Sequence, residues 1–304
     1  MLRPPVGLVL ARDERTIPGP GPRWTYEPKF DGWRAVVFSA TGVIQSRRNN
    51  NLAGRFPEIS AAARPLGDVL LDGELVALRD GRLDFGALAA MPGHRDADVY
   101  FVAFDLLATG SEDLRPLPFE TRRSILEEVL AGVAPPLQLI PSVRDRDVAA
   151  QWMRPEVADV GIEGVVAKVV SSPYRAGRTG DWVKVRQKIV IDAVVIGVAG
   201  ALARPESVLL ARPGPDGVLR AIGLSLPLSP SFRDEIASRV RATDEPRQRM
   251  PAFAMGGEGA EYQPVLPTLV VEAEADAAVT TFTARLRPRI HRLRPDLTPE
   301  DLEP

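Results

Sequence analysis

Apolar positions in the first 187 residues alternate between continuous β-rich runs and helically spaced patterns. Runs rich in β-branched and aromatic residues at Ala35–Phe38, Val69–Leu75, Tyr100–Leu107, Gly164–Val170 and Trp182–Val185 read as strands. Between them the apolar positions fall three or four apart. Phe56, Ile59, Ala63 and Leu66 share one helical face, as do Ile125, Leu126, Val129 and Leu130. A third helix is expected over Asp145–Val160, with Val148, Trp152 and Val160 facing inward. Long non-helical connections and a glycine-rich bend at Gly177–Gly180 point to an α+β fold and away from a regular doubly wound sheet.

From Lys188 onward the texture changes. Ile189–Val198, Ser207–Ala211, Val218–Leu224 and Thr268–Glu274 read as strands, punctuated by the Pro-Gly-Pro-Asp-Gly turn at 213–217. One helix, Ser231–Arg241, carries Phe232, Ile236 and Val240 four apart, with Ser231 and Asp234 as its cap. Short strands interrupted by one helix suit a small β-barrel of the oligonucleotide-binding (OB-fold) type. The expected domains are therefore 1–187 and 188–304, and the stretch Glu245–Pro267, rich in Pro, Gly and Met, reads as a loop.

Composition narrows the chemistry. At 304 residues, with 45% hydrophobic and 26% charged residues, the chain suits two globular domains, a soluble monomer being expected. No apolar run is long enough to span a bilayer. The run Val6–Ala11 is followed at once by Arg12-Asp13-Glu14-Arg15, unlike a secretory signal, so a cytoplasmic location is expected. Cysteine is absent and only His94 and His291 are histidine, which excludes disulfides, thiol catalysis, Cys-based zinc sites and multi-histidine metal centres. Any metal is then a hard cation held by carboxylates and phosphate oxygens, and Mg²⁺ fits. The net charge of −2 says little, but residues 285–294 hold five arginines and one histidine without an acid. Such a strip can bind phosphates, or it can be a solvated edge.

Only four of the 38 basic residues are lysine: Lys29, Lys168, Lys184 and Lys188. A chain that uses arginine wherever a surface charge suffices retains lysine where a guanidinium fails. An ammonium can lose its proton and act as a nucleophile, and it is a compact charge suited to phosphate. For Lys188 alone, chance retention is the simpler explanation.

Lys29-Phe30-Asp31-Gly32-Trp33-Arg34 contains K-x-D-G-x-R, which by chance recurs in roughly one chain of this size in a few hundred. Downstream come Ser46-Arg47, Leu71-Asp72-Gly73-Glu74-Leu75, Phe101-Val102-Ala103-Phe104-Asp105, Glu163-Gly164-Val165-Val166-Ala167-Lys168 and Trp182-Val183-Lys184-Val185-Arg186. In this order they resemble the motif set of the covalent nucleotidyltransferases: DNA ligases, RNA ligases and mRNA capping enzymes. Taken singly, each has an ordinary reading. Phe104 lies in an apolar run, Asp72-Gly73 suits a turn, and Lys184 and Arg186 alternate as on any amphipathic strand.

The resemblance covers nearly the whole chain and implies an amine nucleophile that takes AMP from ATP. A free lysine has a pKa of about 10.4, and neighbouring cations with partial burial lower it. Lys168 and Lys184 would supply that field if they converge on Lys29, and would hold phosphates. By the same resemblance Lys29 is adenylated, Arg34 and Arg47 contact ribose or phosphate, Glu74 takes the ribose hydroxyl and Phe104 stacks on the purine. Glu163, with Glu74, holds Mg²⁺, and Lys184 and Arg186 bind phosphates. Stacking tolerates any base, so a preference for ATP over GTP would come from hydrogen bonds near Glu27 and Pro28.

The stretch 288–296 resembles the closing motif of ATP-dependent DNA ligases, with Arg289, Arg292, Arg294 and Asp296 matching. In relatives this motif closes over the nucleotide and orients the pyrophosphate leaving group. Leu286, where the family often has arginine, and Leu297, in place of the closing lysine, depart from it, as does Ser46-Arg47-Arg48-Asn49 from the usual S-R-N-G. The nearest resemblance is to compact bacterial ligases related to end-joining and repair enzymes, with nicked duplex DNA as substrate and end-joining or repair proteins as partners. No N-terminal DNA-encircling domain is expected at this length, and the missing zinc cysteines disfavour the NAD-using ligases. The alternatives are an RNA ligase, a capping-type enzyme using GTP, or a non-catalytic ligase-like DNA-binding module.

Overall fold

Side-chain alternation along the strands gives the first half of the chain two sheets that share one core. The computed structural model describes residues 2–21, 23–158, 160–250, 260–276 and 287–303. The chain divides into two compact units, Met1–Gln187 and Lys188–Pro304. The first contains, in order, β1 (Val9–Asp13), β2 (Trp24–Phe30), β3 (Trp33–Phe38), β4 (Val43–Ser46), α1 (Pro57–Ala63) and β5 (Val69–Arg79). Then come β6 (Arg82–Leu83), β7 (Asp98–Thr109), β8 (Glu112–Asp113), α2 (Phe119–Val129) and β9 (Leu137–Leu139). It ends with α3 (Arg146–Gln151), α4 (Pro155–Ala158), β10 (Ile162–Val169) and β11 (Gly177–Arg186).

One sheet runs β4-β3-β5-β7-β8, with β6 on β5 and β9 on β7; the other runs β1-β11-β10-β2. On the larger sheet Trp33, Ala35, Val37, Leu71, Leu75 and Phe101 turn to one face, against Phe56, Ile59 and Ala63 around α1 and Leu126 of α2. The next residues along, Val36, Leu70, Val102 and Phe104, turn to the other face and meet Val9, Tyr174 and Trp182 beside or within the smaller sheet. Burial from both faces is the main stabilisation of β3, β5 and β7.

Two glycines are required by close backbone approach. A Cβ on Gly32 would lie 2.2 Å from the Leu75 carbonyl oxygen. Gly164 has φ +151° and a Cβ there would lie 2.0 Å from the carbonyl oxygen of Val185. The second fixes how closely β10 approaches β11, and so where Glu163 points.

The helix expected over Asp145–Val160 is instead two short ones. Asp145 caps α3, accepting from the amides of Asp147 and Val148. Trp152 ends that helix and Pro155 opens the next. Val148 and Val160 are 38% and 44% exposed, so the inward placement expected of them is wrong, while Ala149 is the buried residue. Gly177–Gly180 opens β11, with Gly177 and Arg178 in parallel pairing with β1 before the register shifts ahead of Val183.

The second unit contains β12 (Lys188–Ala201), β13 (Arg204–Pro213), β14 (Leu219–Leu224), α5 (Pro230–Arg239), β15 (Gln248–Arg249), β16 (Glu261–Asp276) and β17 (Arg289–Leu293). The sheet order is β14-β13-β12-β16-β15 with β17 on β16. Both long ladders of β12 shift register between Val195 and Gly197, a bulge that lets the sheet curl around Val195, Leu210, Ile222, Ile236, Val271 and Ile290. The cap of α5 is Ser229, not Ser231: its Oγ accepts from the amide of Phe232. Part of the expected loop Glu245–Pro267 is strand, in β15 and the start of β16, while 251–259 lie outside the described residues, as do Arg285 and Leu286. Sheet therefore dominates both units and helices are few. No described helix is long and apolar enough to cross a membrane.

Candidate active site

Pairing of β2 with β10, and of β10 with β11, sets Lys29 opposite Gly164, Glu27 opposite Val166, Lys184 opposite Val166 and Trp182 opposite Lys168. With a period of two, Glu27 and Lys29 leave the same face of β2. On β3 and β5, Arg34 is opposite Glu74. These groups form a mouth and a deeper end.

At the mouth the Lys29 ammonium donates to the Glu163 carboxylate, with side chains 20% and 10% exposed. Arg186 Nε lies 4.0 Å from the same carboxylate. Lys184 and Arg186 share Asp13 of β1, at 3.3 and 2.8 Å. Burial pushes the Glu163 carboxyl up, but the charge and hydrogen bond of Lys29, with Arg186, outweigh it and hold its pKa below the ordinary value. Burial and the neighbouring Arg186 pull the Lys184 ammonium down, against Asp13. The Glu74 carboxyl is pushed up to about 8 by burial, which Lys29 and Arg34 only partly offset and to which Glu163 and Asp31 add.

At the deeper end Lys168 is 1% exposed. Its ammonium lies 2.7 Å from Glu27 Oε2 and donates to the Phe104 carbonyl oxygen at 3.0 Å. It also sits 4.1 Å from the Trp182 ring centroid and 4.6 Å from that of Phe104, so π-faces complete its solvation. Lys168 is thus engaged with Glu27, in place of the expected convergence on Lys29; Lys184 is the lysine whose ammonium feels the charge of Lys29. Arg34 grips Asp72 through two hydrogen bonds of 2.6 Å, and the Tyr174 hydroxyl donates to Asp72 Oδ2, also at 2.6 Å. The Arg34 guanidinium lies 4.6 Å from the Phe104 ring centroid, and that ring meets Trp182 edge-on at 5.9 Å. Phe104 is 7% exposed and packs as core at the same time.

The arrangement brings together one nucleophile-type amine, Lys29, the cations Lys184 and Arg186, the carboxylates of Glu27, Glu74 and Glu163, and the rings of Phe104 and Trp182. Residues 15–186 match the family model described as the ATP dependent DNA ligase domain. The chain belongs to the ATP-dependent DNA ligase family. It is 35% identical to DNA ligase C2 of Mycolicibacterium smegmatis over 73% of this chain and 66% of that protein. It is 28% identical to DNA ligase C1 of the same organism over 98% of this chain and 92% of that one. A multifunctional non-homologous end joining protein LigD of that species matches at 31% over 92% of this chain, which spans 37% of its length. Among solved structures, mycobacterial DNA ligase D complexed with ATP and MES aligns with TM-score 0.56 and 28% identity, over 98% of this chain and 97% of that one.

Within this ligase fold, no three His, Asp or Glu side chains among the described residues are grouped so as to hold a metal by themselves. That suits Mg²⁺ arriving with the nucleotide, since this ion keeps several waters and uses one or two carboxylates plus phosphates. Glu163 and Glu74 are carboxylates at this site that could share such an ion. Arg47 and Arg48 are exposed just beyond β4. Arg289, Arg292, Arg294 and Asp296 belong to the second unit. There Arg292 pairs with Glu272 at 2.6 Å, and Arg294 with Asp192 and Asp296 at 2.8 Å each. Ile290 and Leu293 turn into that unit's core, leaving Arg289, His291 and Arg292 of β17 exposed, with Arg294 just beyond the strand.

Sequence reasoning missed Asp13, Trp182, Tyr174 and the pairing role of Asp72. Asp72 carried a usable signal: it stands two residues before Glu74, on the same strand face. The raised Glu74 pKa gives a pH prediction. A carboxyl near 8 in the fold and near its ordinary value when unfolded binds more protons in the native state, so stability falls as pH rises between those limits. Glu74→Gln is therefore expected to melt above the parent at pH 8.5, with the gap narrowing steadily toward pH 5.5. A gap that widens at low pH contradicts this environment for Glu74.

Proposed function

We propose that this chain seals 3′-hydroxyl/5′-phosphate nicks in duplex DNA through a lysyl-AMP intermediate. The observation that carries the reading is the Lys29–Glu163 contact at a mouth lined by Lys184 and Arg186. In the first step the Lys29 amine attacks the α-phosphorus of Mg·ATP, a P–N bond forms and pyrophosphate leaves. AMP then passes to the 5′-phosphate of the nick, breaking the P–N bond, and the 3′-hydroxyl displaces AMP to make the phosphodiester. Phosphoryl transfer of this kind asks for placement and charge neutralisation, which Lys184 and Arg186 supply. Glu74 takes the ribose hydroxyl, and Arg34, with Arg47, the ribose or phosphate. Phe104 offers a stacking face, Glu27 lies at the base, and Lys168 holds Glu27.

The first unit is the adenylation domain and the second an OB-fold barrel. Arg289, Arg292 and Arg294, with Asp296, serve leaving-group and DNA phosphates. The work is DNA repair or end joining by a cytoplasmic monomer. Incubation with α-labelled ATP or GTP, then with nicked DNA or nicked RNA, tests this reading. Label from ATP and sealing of DNA are expected. Label from GTP alone, or sealing of RNA alone, replaces it with a capping-type or RNA ligase activity, and no label at all with a binding module.

Salt separates the two substrates. If the arginines of β17, with Arg47 and Arg48, meet DNA phosphates, each phosphate contact contributes a slope of about −0.9 in log affinity against log salt. Nick binding should weaken by more than about tenfold between 50 and 200 mM salt, and self-adenylation far less. A flat response of nick binding identifies the strip as a solvated edge.

A further inference from the structure

Helix α2 sends one buried arginine, Arg123, toward Glu27. Arg123 Nε donates to Glu127 Oε1 at 2.6 Å and Nη2 to the Ile140 carbonyl oxygen at 2.8 Å. Those two anchors fix the plane of the guanidinium. The third nitrogen, Nη1, is buried without a hydrogen-bond partner and lies 3.8 Å from Glu27 Oε1. That separation is too long for a hydrogen bond but short enough for strong attraction. Glu27 is 1% exposed; Lys168 holds its Oε2, and Oε1 likewise has no hydrogen-bond partner. An unpaired donor and an unpaired acceptor, side by side and both buried, are costly unless a ligand satisfies them.

We propose that Arg123 is a positioning residue that keeps Glu27 Oε1 presented as the acceptor for the 6-amino group of the purine, and so sets the preference for ATP. The inference rests on the placement of the base beside Glu27 under Proposed function. Adenine offers an amine donor at C6, which complements Oε1. A 6-oxo purine puts an acceptor where the amine would be, facing a carboxylate oxygen. Burial pushes the Glu27 carboxyl toward protonation, and Lys168 and Arg123 oppose that. A protonated Glu27 donates as well as accepts, and no longer rejects the 6-oxo group.

The test uses the full chain and measures kcat/KM for formation of the protein–nucleotide adduct from ATP and from inosine triphosphate. Arg123→Gln should lower the ATP-over-ITP ratio about tenfold or more, the loss being carried by ATP. Arg123→Lys should restore part of it. If Arg123 only ties α2 to Ile140, both nucleotides lose in parallel and the ratio stays, which overturns the proposal. Glu27→Gln in the same assay separates the two layers. A ratio unchanged in that variant means the base is not read at Glu27, and both readings fall. A ratio that collapses there but not in Arg123→Gln removes Arg123 alone. Should Arg123→Gln fail to fold, Glu127→Ala decides. Glu127 is 52% exposed, so its loss frees one anchor of Arg123 without opening the core. The ratio should then fall about threefold, the direction expected when one charge-assisted hydrogen bond to the anchor is lost. No change in a folded Glu127→Ala protein overturns the proposal.

Discussion

Replacing Lys29 by arginine is expected to abolish transfer of label from α-labelled ATP to the protein, by at least about a thousandfold. The substitution isolates one property. Arginine keeps the positive charge that the buried Glu163 carboxylate needs, so the local ion pairing survives; what disappears is an amine able to give up a proton and attack phosphorus. Lys29→Ala should be as inactive, but it leaves Glu163 with Arg186 at 4.0 Å as the cation beside it. Lys29 lies at the end of β2 with its side chain 20% exposed, so neither variant removes core contacts and both should keep the parent circular dichroism. An adduct that persists in Lys29→Arg assigns the nucleophile elsewhere.

Arg122→Ala is expected to be the most destabilising single change in the first unit. Arg122 and Asp105 are both 0% exposed. The guanidinium makes two hydrogen bonds to the carboxylate, of 2.7 and 2.8 Å, and Nη1 serves the carbonyl oxygens of Leu117 and Ser172 at 2.6 and 3.1 Å. Alanine there leaves a buried carboxylate without its cation and two carbonyls without this donor. Breaking such a pair costs about 3–5 kcal/mol, and for a domain of this size each kcal/mol moves the melting temperature by about 2–4 °C. A fall of about 10 °C or more is expected by calorimetry. Replacing both partners with leucine should recover much of it, because the uncompensated charge is gone. A fall of only a degree or two in Arg122→Ala shows that Asp105 finds another cation, Lys168 being the one whose charge it already influences.

What could be read in the sequence was whatever is local. Continuous apolar, β-rich runs marked β3, β5, β7, β10 and β11, because these strands are buried on both faces or nearly so, and three- and four-residue spacing marked α1 and α2. The segment at 145–160 misled because Val148, Trp152 and Val160 have helical spacing although Pro155 breaks the run. β17 was read only as a basic strip, since its two inward residues, Ile290 and Leu293, are interleaved with Arg289, His291 and Arg292. The site divides in the same way. Lys29, Glu74, Glu163 and Lys184 came from short motifs. What the motifs left undefined was who holds whom. Tyr174 meets Asp72 across 102 positions and Lys168 meets Phe104 across 64, and no local pattern encodes such pairings. Asp13 lies outside the 15–186 family match and reaches Lys184 and Arg186 only because β1 joins β11 in parallel.

The central claim is that Lys29 carries AMP from ATP to a nicked strand. Its most direct measurement is a chase with unmutated protein. The protein is loaded with ATP and Mg²⁺, freed of nucleotide, digested in part for mass spectrometric mapping, and otherwise mixed with nicked duplex in the absence of ATP. The account predicts AMP on the peptide containing Lys29, and sealing of about one nick per adenylated molecule as the adduct disappears. AMP mapped to another residue, or an adduct on Lys29 that stays in place while nicks remain open, would contradict it.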